Sequence, residues 1–218
     1  MVRGHDLLRR TFAKREVVTL GEWRDSLRER AAAVWTDIRW HLIVAERNGR
    51  VVGVASGTYL GNVNTGVIGY LAVSPAMRGE GLGPRLRTRL RAMFRRDAMQ
   101  VRRRALEAVV GEVKATNPWL QTLARRNRVV ALDLMYSQPQ LHPRDRRVGL
   151  VLYIEWLDRP RTRVATARIR KLLYTIWRRV YRIARPMADP QFQRMLSELA
   201  VRKWVGRVKL PAVERGPR

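Results

Sequence analysis

Between a run of β-formers and an amphipathic helix, the chain reads Leu71-Ala72-Val73-Ser74-Pro75-Ala76-Met77-Arg78-Gly79-Glu80-Gly81-Leu82-Gly83-Pro84. No other stretch restricts the fold as much. VIGYLAV (67–73) predicts a strand, Ser74-Pro75 ends it, and a helix is expected from about Leu82 to Gln100 with Leu82, Leu86, Leu90, Met93 and Phe94 as its apolar stripe. Gly79, Gly81 and Gly83 let the backbone take positive φ and approach a ligand closely. The first N–H groups of a helix lack internal partners and sit at the positive end of its dipole. Pro84 suits the first turn, where a missing N–H costs nothing. A strand, a glycine turn and a bare helix start together predict a cradle for a pyrophosphate-like anion. The glycine spacing departs from G-x-G-x-x-G, and no Lys-Ser/Thr follows as in a Walker loop.

The flanks set the fold class. Residues 1–40 read mainly as helix, with Leu7, Leu8 and Phe12, then Trp23, Leu27, Ala31 and Val34 at helical spacings. From His41 the period changes to that of a strand. HLIVAE (41–46), an Asn48-Gly49 turn and VVGVASGTYL (51–60) predict a hairpin, which with 67–73 makes an antiparallel meander. ALEAVVGEV (105–113) reads as a buried strand, Asn117-Pro118 opens a helix over 118–127, and VVALDLMY (129–136) and GLVLYIEWL (149–157) are further strands. The expected architecture is α/β, a mostly antiparallel sheet flanked by helices. Pro160 closes this unit, giving a domain over 1–160 and a helical tail over 161–218. In the tail, Ile169, Leu172, Leu173, Ile176, Trp177, Val180, Ile183 and Ala184 share one arc, with a stop at Pro186. Asp189-Pro190 predicts a second helix with Phe192, Met195, Leu196, Leu199, Ala200 and Trp204 as its stripe.

Composition excludes several chemistries. There is no cysteine, which removes disulfide scaffolds, thiolate metal sites and cysteine nucleophiles, and three scattered histidines argue against a metal centre. The N-terminal residues lack a signal-peptide core, and no apolar run reaches membrane-spanning length, so a cytoplasmic protein is expected. The 218 residues carry 45 basic and 18 acidic side chains, a formal charge of +27. Forty of the basic residues are arginine, and residues 161–218 hold 16 basic side chains against three acidic ones. Such a surface attracts anions: nucleic acid, acidic lipid or an anionic cosubstrate.

The motif and its setting resemble the GNAT superfamily of acyl-CoA-dependent N-acyltransferases. Its signature is a strand ending in apolar-x-Pro, then Arg/Gln-x-x-Gly-x-Gly/Ala at a helix start. Val73-Ser74-Pro75 and Arg78, Gly81 and Gly83 match it, and the element order agrees over roughly residues 5–157. The resemblance implies acetyl-CoA as co-substrate and no metal. It implies a V-shaped gap where the motif strand and the next strand splay, with pantetheine along the backbone of Leu71, Ala72 and Val73. Pyrophosphate would be held by the backbone from Arg78 through Gly79, Glu80, Gly81 and Leu82 to Gly83, with Arg85, Arg87 and Arg89 nearby. It implies direct attack by an amine, in keeping with the absence of cysteine, and an oxyanion stabilised near Val73. Asn117 matches the asparagine common at the start of the following helix, which implies a place for it among the cofactor-binding residues. The tyrosine that often protonates the thiolate is missing, because Leu123 or Ala124 stands there, and Asn127-Arg128 replaces the usual Gly-Phe. A general base is needed because an ammonium group is not a nucleophile. Tyr70, Glu112 and Glu107 are the candidates, and Tyr136 and His142 are candidates for the acceptor side.

The tail admits three roles: docking of its apolar stripes on the domain or in a homodimer, lying on an anionic membrane surface, or polyanion binding through its arginines. Two functions compete: an acetyltransferase acting on an amine, and a non-enzymatic CoA-binding or degenerate GNAT adaptor whose basic tail binds nucleic acid, an anionic membrane or a partner protein.

Overall fold

The computed structural model describes residues 1–125, 128–142 and 146–210. The chain divides into two compact units, the first Met1–Glu107 with Gln140–Arg146, the second Ala108–Pro139 with the chain from Arg147 onward.

The first unit is an antiparallel meander with helices packed on it. β1 (Ile38–Arg47) and β2 (Arg50–Leu60) join through Asn48 and Gly49, both left-handed at φ 51° and 70°, the two-residue turn that the Asn-Gly pair predicts. β3 (Thr65–Val73) pairs antiparallel with β2. α1 (Val2–Thr11) and α2 (Leu20–Ala31) bury Leu7, Leu8 and Trp23 against Val54 and Ala72. Thr19 starts α2 with a capping box, accepting from the Glu22 N–H while the Glu22 carboxylate accepts from the Thr19 N–H. α3 (Leu82–Arg102) buries Leu86, Leu90 and Phe94. Phe94 lies so close to β3 that a Cβ at Gly66 would stand 2.1 Å from its ring, so the glycine is required by contact. A buried pair ties β1 to α3: Arg30 donates to His41 Nδ1 (3.0 Å), which leaves His41 Nε2–H to donate to Asp97 (2.5 Å).

In the second unit, β7 (Gly149–Trp156) is central. β4 (Ala108–Val113) pairs along one edge of it, and β5 (Val129–Ala131) and β6 (Tyr136–Ser137) along the other, all antiparallel. The single strand expected at 129–136 is thus two short ones, interrupted where the Leu132 N–H bonds to the Leu152 carbonyl and the Asp133 N–H turns away to Gly206. α4 (Pro118–Ala124) buries Leu120 and Leu123 against Val129, Ala131 and Tyr153; the rest of the helix expected to run to 127 includes Arg126 and Asn127, outside the described residues.

The tail folds within this second unit. β8 (Val164–Ala165) leads into α5 (Thr166–Thr175), which passes into a π-helical turn, Ile176–Val180. Ile169, Leu172, Leu173, Ile176 and Trp177 are buried, as the arc of apolar residues predicts. The helix ends at Tyr181 rather than at Pro186, because Arg182 turns left-handed at φ 58°. α6 (Pro190–Ala200) is capped by Asp189 and buries Phe192, Met195 and Leu199. Trp204 leaves the helix stripe: it lies on β9 (Trp204–Val205), paired with β8, and is 42% exposed. Beyond it, Val208 N–H bonds to Ala131 (2.8 Å) and Leu132 bridges Arg207, so residues 206–208 line the outer side of β5. Among the described residues, no helix is long and apolar enough to cross a membrane.

Candidate functional site

The loop predicted to bind an anion lies in the first unit and is open to solvent from Pro75 to Gly81, apart from half-buried Met77. The β3–β2 register slips between Ser56 and Gly57, leaving Gly69 as an extra residue just before Tyr70. Such a bulge bends the strand and re-aims the residues after it, here Leu71, Ala72 and Val73. Ser74 N–H still bonds to Val52 (2.9 Å), after which Pro75–Met77 form a single 3-10 turn. Gly79 and Gly81 are left-handed at φ 86° and 73°, a conformation a Cβ disfavours. Gly83 differs: its φ is ordinary, and a Cβ there would meet only Leu71 and Val73 side chains at 3.7 and 3.8 Å. Gly81 caps α3 without any side-chain bond to the first-turn N–H groups. Those N–H groups and the helix dipole therefore face outward at an exposed turn, which is the chemistry of an anion site.

Side chains around the loop agree in part. Arg78, Arg85 and Arg89 are exposed, whereas Arg87 is buried (6%) and so is not available to a phosphate from solvent. Arg47 reaches both the Glu80 carboxylate (3.2 Å) and Met77 Sδ (3.3 Å), bracing the loop against the end of β1. Among the described residues, no group of three or more potential metal-ligating side chains occurs.

The structure gives Tyr70 defined work. Its hydroxyl accepts from the Val18 N–H and donates to the Glu16 carbonyl, both at 2.9 Å. His5 bonds to the Val18 carbonyl and His142 to the Val17 carbonyl, so three side chains hold the segment before α2. Glu107 also lies in the first unit, where its N–H bonds to Asn64.

Glu112 and Asn117 belong to the second unit. Asn117 caps α4, accepting from the Trp119 N–H at 2.9 Å. Glu112, near the end of β4, is held by two tyrosines. Tyr136 donates to its Oε1 (2.6 Å) and Tyr181 donates to its Oε2. Burial pushes Glu112 above the usual carboxylate range, and the two tyrosine hydrogen bonds work in the opposite direction. Tyr136 is itself pushed well above 10 by burial and by the Glu112 charge. Sequence reasoning finds Glu112 and Tyr136 but not Tyr181, which lies 69 residues from its partner and carries no local mark.

The family model described as acetyltransferase (GNAT) matches residues 6–122. Among solved structures, a GNAT-family protein from Bacteroides thetaiotaomicron aligns at a TM-score of 0.57 and 16% identity, covering 83% of this chain and 90% of that one. The yncA protein of Salmonella typhimurium, solved with acetyl-CoA, aligns at a TM-score of 0.45 and 21% identity over 66% of this chain and 78% of its own. No curated protein matches the sequence.

Proposed function

We propose, on the premise that this chain belongs to the acetyltransferase (GNAT) family, that it transfers the acetyl group of acetyl-CoA directly to an amine. One observation carries the reading: an exposed turn in which Gly79 and Gly81 are left-handed and α3 begins without a side-chain cap. The backbone from Arg78 to Gly83 takes the pyrophosphate, with Arg78, Arg85 and Arg89 as exposed cations. Leu71, Ala72 and Val73, following the bulge, supply backbone groups to the pantetheine amides. Asn117 keeps α4 in place at its first turn.

The acceptor nitrogen forms the new C–N bond and the C–S bond breaks. An ammonium group gives up two protons in reaching the amide: one leaves through a base to solvent and one ends on the departing thiolate. Glu112 is the base, since its surroundings tune a carboxylate for proton exchange. Tyr70 holds the Glu16–Val18 segment by two backbone bonds and enters the site as a positioning residue. No tyrosine stands on α4, so the thiolate takes its proton from another group or from water.

The test is direct. Acetyl-CoA raises the melting temperature of the purified protein, Gly81→Glu abolishes the rise, and free CoA is released over a panel of primary amines. A wild-type protein that does not respond at saturating acetyl-CoA overturns the reading. A shift without CoA release identifies the adaptor instead.

A second reading concerns the tail. No acidic residue occurs between Asp158 and Asp189. Arg170, Lys171 and Arg178 are exposed one helical turn from Tyr174 (43% exposed), and Arg185 is exposed beyond the helix, all with no acidic partner among the described residues. The apolar faces needed for a bilayer or a tail-mediated homodimer are buried inside the unit. What this helix presents outward is charge and the Tyr174 ring, which favours single-stranded nucleic acid. A labelled RNA oligonucleotide binds, weakening steeply with salt, and the triple Gln substitution of Arg170, Lys171 and Arg178 reduces affinity at least about tenfold. Unchanged affinity removes this face as the site, and binding only to phosphatidylserine vesicles assigns it to lipid.

A further inference from the structure

Tyr181 sits where the backbone is least ordinary. The π-helical turn Ile176–Val180 ends on it, and its N–H bonds to the Ile176 carbonyl (3.1 Å). Arg182 follows in the left-handed region, unfavourable for a residue with a Cβ, and the Ile183 N–H reaches back to Trp177 (3.0 Å). Ile176 and Trp177 are completely buried, so the turn is anchored from below. Turns of this type are frequent at functional sites, and strain of this type persists only where surrounding packing fixes it. Here the turn delivers one hydroxyl to one oxygen of Glu112, while Tyr136 serves the other.

We propose that Tyr181 is a positioning residue for the proton-accepting Glu112. With Tyr136 it orients the carboxylate, which makes the segment after Arg159 part of the catalytic apparatus. The inference rests on the reading of Glu112 as base. Two O–H donors on opposite oxygens fix the plane of the carboxylate and stabilise its charge, offsetting the burial that favours the protonated form. The groups that face Glu112 are Tyr136 from β6 and Tyr181 after α5, while β7 sets Leu152 against it. In the reaction a proton passes from the acceptor nitrogen to a carboxylate oxygen, and from there to solvent. No covalent bond forms to the protein. The thiolate-protonating tyrosine expected on α4 is a different function and is not restored by this arrangement.

The experiment uses the full chain with Tyr181→Phe, Tyr136→Phe and the double variant, each checked by circular dichroism and by its acetyl-CoA-induced melting shift. Carbon-13 NMR of the Glu112 carboxyl follows its titration without need of an acceptor. The expected result is a titration midpoint moved upward in each single variant and further in the double. On the acidic limb of the pH profile, kcat/KM for Tyr181→Phe falls about tenfold for each pH unit the midpoint moves, and the alkaline plateau stays within about twofold. An unmoved Glu112 midpoint in Tyr181→Phe overturns the proposal. So does a rate lowered equally at every pH, which marks a purely structural contact. A wild-type protein with no acetyl-CoA shift and no CoA release fails the functional reading itself, whereas an intact shift with an unmoved midpoint fails only the role of Tyr181.

Discussion

Glu112 shows how a single side chain carries opposing demands. Its raised titration means that the folded protein binds the proton more tightly than the unfolded chain does. Stability therefore falls as pH rises from the unfolded value of about 4.3 to the higher folded one, and stays lower above it. Glu112→Gln keeps the shape and both tyrosine neighbours but has no charge to desolvate. It is expected to melt no lower than wild type at neutral pH while CoA release falls about 100-fold or more. Equal activity in this variant removes Glu112 as base. The loop glycines separate in the same way. Gly79 and Gly81 are favoured by their backbone angles, whereas Gly83 has an ordinary φ and room for a Cβ, so no contact within the protein requires glycine there.

At the level of elements, the clearest case is α6. Burial works to raise Asp189, but its hydrogen bond to Arg147 (2.8 Å), the Phe192 and Gln191 N–H groups and the Arg147 charge hold it below the usual carboxylate range. A lowered carboxylate stabilises above its unfolded value and loses that contribution as pH falls through the folded one. Asp189→Asn, which can still cap, should lower stability at pH 7 by about 0.5–1.5 kcal/mol, with the difference vanishing as pH falls below about 4. A pH-independent gap would show that the ion pair contributes nothing. This cap was legible in Asp189-Pro190, as was the hairpin turn in Asn48-Gly49, because each depends on residues next to each other. The end of α5 was not. Pro186 marks a stop in the sequence, yet the helix ends earlier, at Tyr181, because Arg182 turns left-handed with no glycine to announce it. The break between β5 and β6 was equally silent, since its cause is the late segment bonding through Gly206 to Asp133. Tyr181 belongs to the same class: a contact made by tertiary packing leaves no period to read.

For the whole molecule, the boundary at Pro160 is a boundary of composition. Charge density and the loss of strand pattern separate 161–218 from the rest, while the contacts of this region lie with Ala108–Pro139 and β7. Arg161 and Arg168 lie over the Trp156 ring, at 3.9 and 5.1 Å from its centre. Ending the chain after Arg159 removes Ile169, Leu172, Leu173, Ile176, Trp177, Phe192, Met195 and Leu199, all buried. At about 1.5–3 kcal/mol of gross burial for each, that loss is as large as or larger than the net stability of an ordinary domain. The truncated protein is expected to lose cooperative unfolding of the second unit, seen as loss of near-UV ellipticity; a normal melt would show the tail to be dispensable. The position of residues 206–208 beside β5 has a consequence in time. Strand β5 leaves the ribosome early, but its outer edge stays bare until the segment that covers it has been translated. The helices of the first unit and its meander can close while synthesis is still under way, whereas the second unit must wait. During that interval the exposed edge is a target for mispairing, and chaperone binding to stalled nascent chains should peak between the emergence of Ala131 and that of Val208.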